Sequence, residues 1–168
     1  MNIFVNNAIN DALVIYLQSR NNNTLEYNSF MVCVIRMLMV IYGEDEILNA
    51  FYEKDNVAFD MLLKSFGYED IDLFKDSFES FYEFNIRQEE RQIKKKNKYF
   101  NLVQKYLVDM FQLRCSKEFV SDNDKKEFKD LLFTYDSKDF CKKSYTLLMA
   151  YNPYELDEYM KKINFLGE

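Results

Sequence analysis

FMVCVIRMLMVIY, residues 30–42, is the stretch whose reading decides the fold. Twelve of its thirteen residues are apolar, and the exception, Arg36, sits in the middle. Thirteen residues around a charge are too short and too polar to span a bilayer. Read as part of a helix over about 25–42, the stretch is apolar nearly all round, and such a helix belongs in the middle of a bundle. Its polar exceptions are ordered. Ser29, Arg36 and Gly43 fall seven apart, so they share one narrow line. Gly43 also stands where a helix is expected to stop.

The segments on either side repeat the helical period. Ile3, Phe4, Ala8, Ile9, Ala12, Leu13, Tyr16 and Leu17 predict a helix over 3–19. EDEILNAFYEK (44–54) predicts a short one, with Glu44, Asp45 and Glu46 in its first turn, where the helix dipole favours acids. NVAFDMLLKSFG (56–67) predicts another, closed by Gly67. A longer helix follows, with Phe74, Phe78 and Phe81 at i, i+4 and i+7. Residues 98–114 carry a stripe of Tyr99, Val103, Tyr106, Met110 and Leu113, flanked by Phe100, Leu107 and Phe111. Ser121 or Asp122 caps a segment leading to Phe128, Leu131 and Leu132. Further helices are expected over SKDFCKKSYTLLMAY and over NPYELDEYMKKINFLG. In the latter, Asn152, Pro153 and Glu155 form a helix-start signature.

Composition supports this reading. The 168 residues are 48% hydrophobic and 17% aromatic, enough for a core. Only three glycines and one proline are present, fewer than a fold built on many tight turns requires. The expectation is an all-α, compact bundle of about seven to nine helices.

Charge divides the chain. Residues 1–86 carry 5 basic and 14 acidic side chains, RQEERQIKKKNK (87–98) carries 6 and 2, and 99–168 carries 11 and 12. Within 87–98 only Ile93 is a large apolar residue, so the apolar face of the preceding helix ends there. The expected division is an acidic N-terminal lobe (1–86), a basic helical seam (87–98) and a C-terminal lobe (99–168), or one domain. Two lobes would be joined by a long helix around residues 70–114.

Several chemistries find no support. There is no histidine, hence neither the commonest metal ligand nor the commonest general base near neutral pH. No phosphate-binding glycine loop, dinucleotide fingerprint or nucleophile elbow is present. The acids around 44–46 and 69–76 do not follow a calcium-loop spacing. No catalytic residue, metal site or cofactor is therefore expected. Cys33, Cys115 and Cys141 are too few and too scattered for a disulfide framework. They read as reduced thiols, and the interrupted apolar start does not read as a signal peptide, so a cytoplasmic protein is expected. Seventeen lysines against five arginines, with sixteen asparagines, point to an AT-rich bacterial or phage source.

Three candidate sites remain. Glu44, Asp45, Glu46, Glu69, Asp70 and Asp72 form an acidic patch suited to a basic partner surface. Arg87, Arg91, Lys94, Lys95 and Lys98 gather on a helix into a ridge suited to phosphates or to an acidic surface. Arg36 needs a partner, either a structural carboxylate or an anionic ligand. The leading expectation is a non-enzymatic protein-interaction module that covers a basic surface, as an inhibitor, immunity or anti-defence factor does. The alternatives are a nucleic-acid-binding regulator using the ridge, and a ligand-binding protein or enzyme with a pocket near Arg36. Tyr52, Tyr68, Tyr82, Tyr99, Tyr151 and Tyr154 are candidates for anchoring contacts. Self-association is a further partner expectation; no membrane partner is expected.

Overall fold

A computed structural model describes residues 7–19, 30–53, 56–87 and 93–134. Among them are seven helices and no strand: α1 (Asn7–Ser19), α2 (Phe30–Tyr42), α3 (Glu44–Tyr52), α4 (Asn56–Leu63), α5 (Ile71–Arg87), α6 (Ile93–Lys117) and α7 (Asp122–Thr134). The all-α expectation holds. The helices expected beyond residue 134 lie outside the described residues, as do Cys141, Tyr151 and Tyr154. So does the proposed extension of the second helix back to 25.

α2 is the centre. Every side chain along it is buried except those of Arg36 and Val40, which are half-buried. It packs against α1, α3, α6 and α7. An all-round apolar helix has no face to give to water, so neighbours must surround it. Arg36, Val40 and Gly43 follow one another at helical spacing and form the line on which α2 is least covered.

Gly43 joins α2 to α3 with no further residue between them. Its φ is 101°, a left-handed conformation that suits glycine. Its N–H donates to the Met39 carbonyl at 2.8 Å, and its own carbonyl accepts from Ile47 at 3.2 Å. The same residue therefore ends one helix and begins the next. Gly67, with φ 91°, ends the turn after α4 in a similar way, donating to the Lys64 carbonyl at 2.8 Å.

α5 and α6 pack closely against each other. The phenylalanine stripe of α5 is buried as its spacing predicts, with Phe74 and Phe78 0% exposed. Phe30 of α2 wedges between the two helices, its ring centroid 4.6 Å from Phe81 and 4.5 Å from Phe100. The Phe81 and Phe100 centroids lie 6.2 Å apart. On one straight helix, nineteen residues would separate them by roughly 28 Å. The long helix over 70–114 is thus corrected to two helices folded back on each other. One cluster of buried residues draws on every helix from α1 to α7, on both sides of residues 87–98.

α6 also differs in which face it buries. Val103 and Met110 of the expected stripe and its expected flank, Phe100, Leu107 and Phe111, are all 0% exposed, whereas Tyr99, Tyr106 and Leu113 are half-buried. The buried face is turned by roughly 100°, one residue, from the expected stripe. Gln104 lies within it, its side-chain amide donating to the Leu132 carbonyl at 2.9 Å. α7 begins as its sequence predicts, with the Ser121 hydroxyl accepting from the Asp124 N–H at 3.1 Å. Its Phe128 stacks on Phe111 with centroids 4.2 Å apart.

Polar contacts pin α1 to α5 and α4 to α5. The Ala8 N–H, in the first turn of α1, donates to Glu79 at 2.9 Å, giving one of the unpaired donors of a helix start an acceptor. The Tyr82 hydroxyl donates to Asp11. Lys75 pairs with Asp60 at 2.9 Å. No described helix is long and apolar enough to cross a membrane.

Candidate functional site

The single-residue link at Gly43 places the acidic first turn of α3 beside the half-buried line of α2. α6 and α7 close the other side. The result is a cleft of about 600 Å³. α2 contributes Arg36 and Val40, α3 Glu44 and Glu46, α6 Arg114, the turn after it Glu118, and α7 Asp124 and Glu127. Tyr16, Tyr42 and Phe66 supply aromatic walls. The Tyr42 and Phe66 rings stack at 5.7 Å, and the Tyr42 hydroxyl is anchored on the Leu63 carbonyl at 2.7 Å. The Tyr16 hydroxyl donates to Glu44 at 2.7 Å and fixes that carboxylate on the rim.

Arg114 organises this cleft. Its guanidinium bonds the Val40 carbonyl, Glu118 at 2.8 Å and Asp124 at 3.2 Å. It therefore ties the end of α6 to the end of α2 and to the first turn of α7. These contacts engage its Nε and Nη1 hydrogens. Arg36 lines the same cleft. Arg36 also lies close to Cys33. Burial pushes that thiol up to about 11, with Arg36 acting in the opposite direction. Cys33 is therefore a protonated core thiol at neutral pH, a poor nucleophile.

A second cleft, of about 480 Å³, opens on the other side of the last turns of α6. It is lined by the loop Gly67–Asp70 and by Asp109, Gln112, Leu113 and Ser116 of α6. Phe66 belongs to the first cleft and Gly67 to the second, so the loop after α4 separates them. Tyr68 forms the floor. It is 4% exposed, and its hydroxyl is buried with no hydrogen-bond partner among the described residues. Burial first, then the charges of Asp109 and Asp70, push that hydroxyl well above the ordinary tyrosine range. Tyr106 is shifted the same way by burial, Asp70 and Asp109. Two tyrosine hydroxyls thus share the field of the same two carboxylates.

The structure sorts the six acids of the expected patch. Glu44 and Glu46 line the first cleft, and Glu69 and Asp70 the second. Asp45 and Asp72 are exposed beyond both, and Asp72 lies 3.9 Å from Lys75. Asp109, Glu118, Asp124 and Glu127 join them from α6, the turn after it and α7, and no local motif singled these out. The first cleft carries five carboxylates against two arginines. The second carries three carboxylates and no basic side chain among the described residues. No group of three or more acidic or cysteine side chains is arranged to hold a metal ion among the described residues.

The basic ridge is described only in part. Arg87 is the last residue of α5, Lys94 and Lys95 stand in the first turn of α6, and Arg91 lies outside the described residues. Lys98 is the ridge residue with a described side chain, exposed, its ammonium 5.8 Å from the centre of the Tyr99 ring. Of the tyrosines expected to anchor a partner, Tyr52 is 60% exposed, whereas Tyr82 and Tyr99 are half-buried. Comparison with known protein families, with curated proteins and with solved structures finds no match to this chain.

Proposed function

We propose that this protein is a non-catalytic binding protein that receives a basic surface of another protein in its two acidic clefts. One observation carries the reading. Four of the six acids that stand out in the sequence line clefts in which carboxylates outnumber cationic side chains. Carboxylates along a cleft focus the field and draw in a basic partner, while the surrounding rings supply contact area. This is the chemistry by which an inhibitor or immunity factor covers the basic surface of its target. The excess of 28 acids over 22 bases acts at longer range in the same direction.

The test is capture by the tagged chain from lysate of its own source organism, with and without nuclease. The expected result is one protein retained at near-equal amount in the nuclease arm. That protein is lost when Glu44, Asp45 and Glu46 are changed together to Lys. Material that vanishes with nuclease would overturn the reading in favour of the basic ridge.

A second reading rests on Arg36. A cleft of about 600 Å³ is large enough for a small organic molecule. It predicts a metabolite that raises the melting temperature of the parent chain and not of Arg36→Met.

A further inference from the structure

We propose that Phe119 is an anchor for the cationic side chains of the partner. A lysine or arginine of the basic surface lies over the Phe119 ring, with its charge turned to the acids of the neighbouring cleft. That the partner is basic rests on the reading above; the role of the ring rests on its own placement.

Phe119 lies in the short link between α6 and α7 and is 90% exposed, more than any other large apolar side chain among the described residues. A phenylalanine is ordinarily buried, so such exposure calls for a cause. Looseness of the link is not that cause, because the link is fastened on both sides of the ring. The Glu118 N–H donates to the Arg114 carbonyl at 3.0 Å. Val120 is 5% exposed and takes the inward position. The Ser121 hydroxyl accepts from the Asp124 N–H at 3.1 Å, and its carbonyl accepts from the Lys125 N–H at 3.0 Å. Held between these fixed neighbours, the ring stands in water ahead of any contact, and covering it orders little that is not already ordered.

Charge decides what covers it. Glu118, the preceding residue, lies on the rim of the first cleft, its side chain 48% exposed. Asp124 and Glu127, from the start of α7 just beyond the link, line the same cleft. Five carboxylates against two arginines there repel phosphates and draw in cations. Lys117, Lys125 and Lys126 are near in sequence but do not line the cleft. The face of an aromatic ring is itself negative and attracts a cation. Ring and carboxylates therefore favour the same occupant. A lysine or arginine brings an apolar stem for the ring and a charge for the acids.

The experiment is fluorescence anisotropy of a dye-labelled hexa-arginine peptide with the full chain, at low and at physiological salt. It compares the parent with Phe119→Ala, Phe119→Leu, Phe119→Tyr and the double variant Glu44→Lys/Glu46→Lys. Phe119→Ala and Phe119→Leu are each expected to weaken binding about threefold, and Phe119→Tyr to bind as the parent does. The salt dependence of Phe119→Ala should match that of the parent, since the ring carries no charge, whereas the double variant should lose both affinity and salt dependence. Phe119→Ala should melt with the parent, because so exposed a ring adds nothing to the core. A lower melting temperature for Phe119→Ala would overturn the anchor by showing that the ring is covered within the fold. Undiminished binding by Phe119→Leu would overturn the cation contact. If Phe119→Ala binds as the parent does while the Glu44/Glu46 variant does not, the anchor fails and the binding reading stands. If Phe119→Ala weakens binding and the Glu44/Glu46 variant does not, the anchor stands and the acidic clefts fail. If the parent does not bind the peptide, both fail.

Discussion

Replacing Arg114 by Met keeps an apolar stem of similar length and removes the guanidinium. Three interactions are lost with it. Val40 is among the last four carbonyls of α2, which have no partner within their own helix. Without Arg114 this carbonyl is left unsatisfied at a part-buried site, which costs about 1–3 kcal/mol. The charged bond to Asp124, whose side chain is 35% exposed, is discounted for solvent and contributes about 1 kcal/mol. The pair with Glu118, 48% exposed and four residues on, adds about 0.4 kcal/mol. The total is about 2–4 kcal/mol, and in a chain of this size that lowers the melting temperature by about 5–15 °C. The assay is urea unfolding followed by far-ultraviolet circular dichroism, with the midpoint falling at unchanged slope. Arg114→Lys should recover less than half of the loss, because an ammonium cannot serve three acceptors in one plane. Arg114→Met and Asp124→Asn should be non-additive by at least about 0.5 kcal/mol. A loss below about 0.5 kcal/mol for Arg114→Met would refute the clamp.

Other perturbations test other joints. Gly43→Ala forces a side chain into a φ of 101° and against Glu46, and should cost about 1–2 kcal/mol in the same urea assay. Phe30→Ala empties the wedge between α5 and α6 and should cost about 3–5 kcal/mol, near the limit of what the fold tolerates. Alkaline pH should destabilise the protein. Burial holds the Tyr42 hydroxyl protonated well above the ordinary range, and the bond to Asp11, with burial, pushes Tyr82 up to about 12. The unfolded chain ionises these groups from about pH 10, so it binds fewer protons than the fold there. Stability is then fully present below that pH and falls as pH rises through it. The urea midpoint measured between about pH 8 and 11 should show this, with a shallower fall in Tyr42→Phe.

How much of this was visible in the sequence varies by element. α2 was legible because an unbroken apolar run leaves one way to hide it. α5 was legible from three phenylalanines at exact helical spacing, and the start of α7 from Ser121. The fold-back between α5 and α6 was not, because polar residues at helical spacing suit a projecting helix and a hairpin equally. The buried face of α6 was legible in Val103, Met110 and the flanking Phe100, Leu107 and Phe111, but its turn toward that flank was not, because Gln104 reads as a surface residue. Its amide instead bonds the Leu132 carbonyl, a partner 28 positions away. The acids at 44–46 and 69–72 stood out by local density. Arg114 did not, since an arginine near a helix end commonly serves the dipole, and its decisive acceptor, Val40, is 74 residues distant. A cleft assembled from α1, α2, α3, α6 and α7 leaves no local trace.

The central place of α2 bears on how the chain is made. Synthesis delivers residues 30–42 long before 93–134, yet α6 and α7 supply much of what covers them. Until those helices emerge, the most apolar segment of the protein has no complete shelter. Partly made chains are therefore the forms most exposed to aggregation and to chaperone capture. Truncation after α5 should leave a chain that cannot stay in solution by itself, whereas the full chain should. The segment that makes the finished fold legible is the one that makes its unfinished forms hazardous.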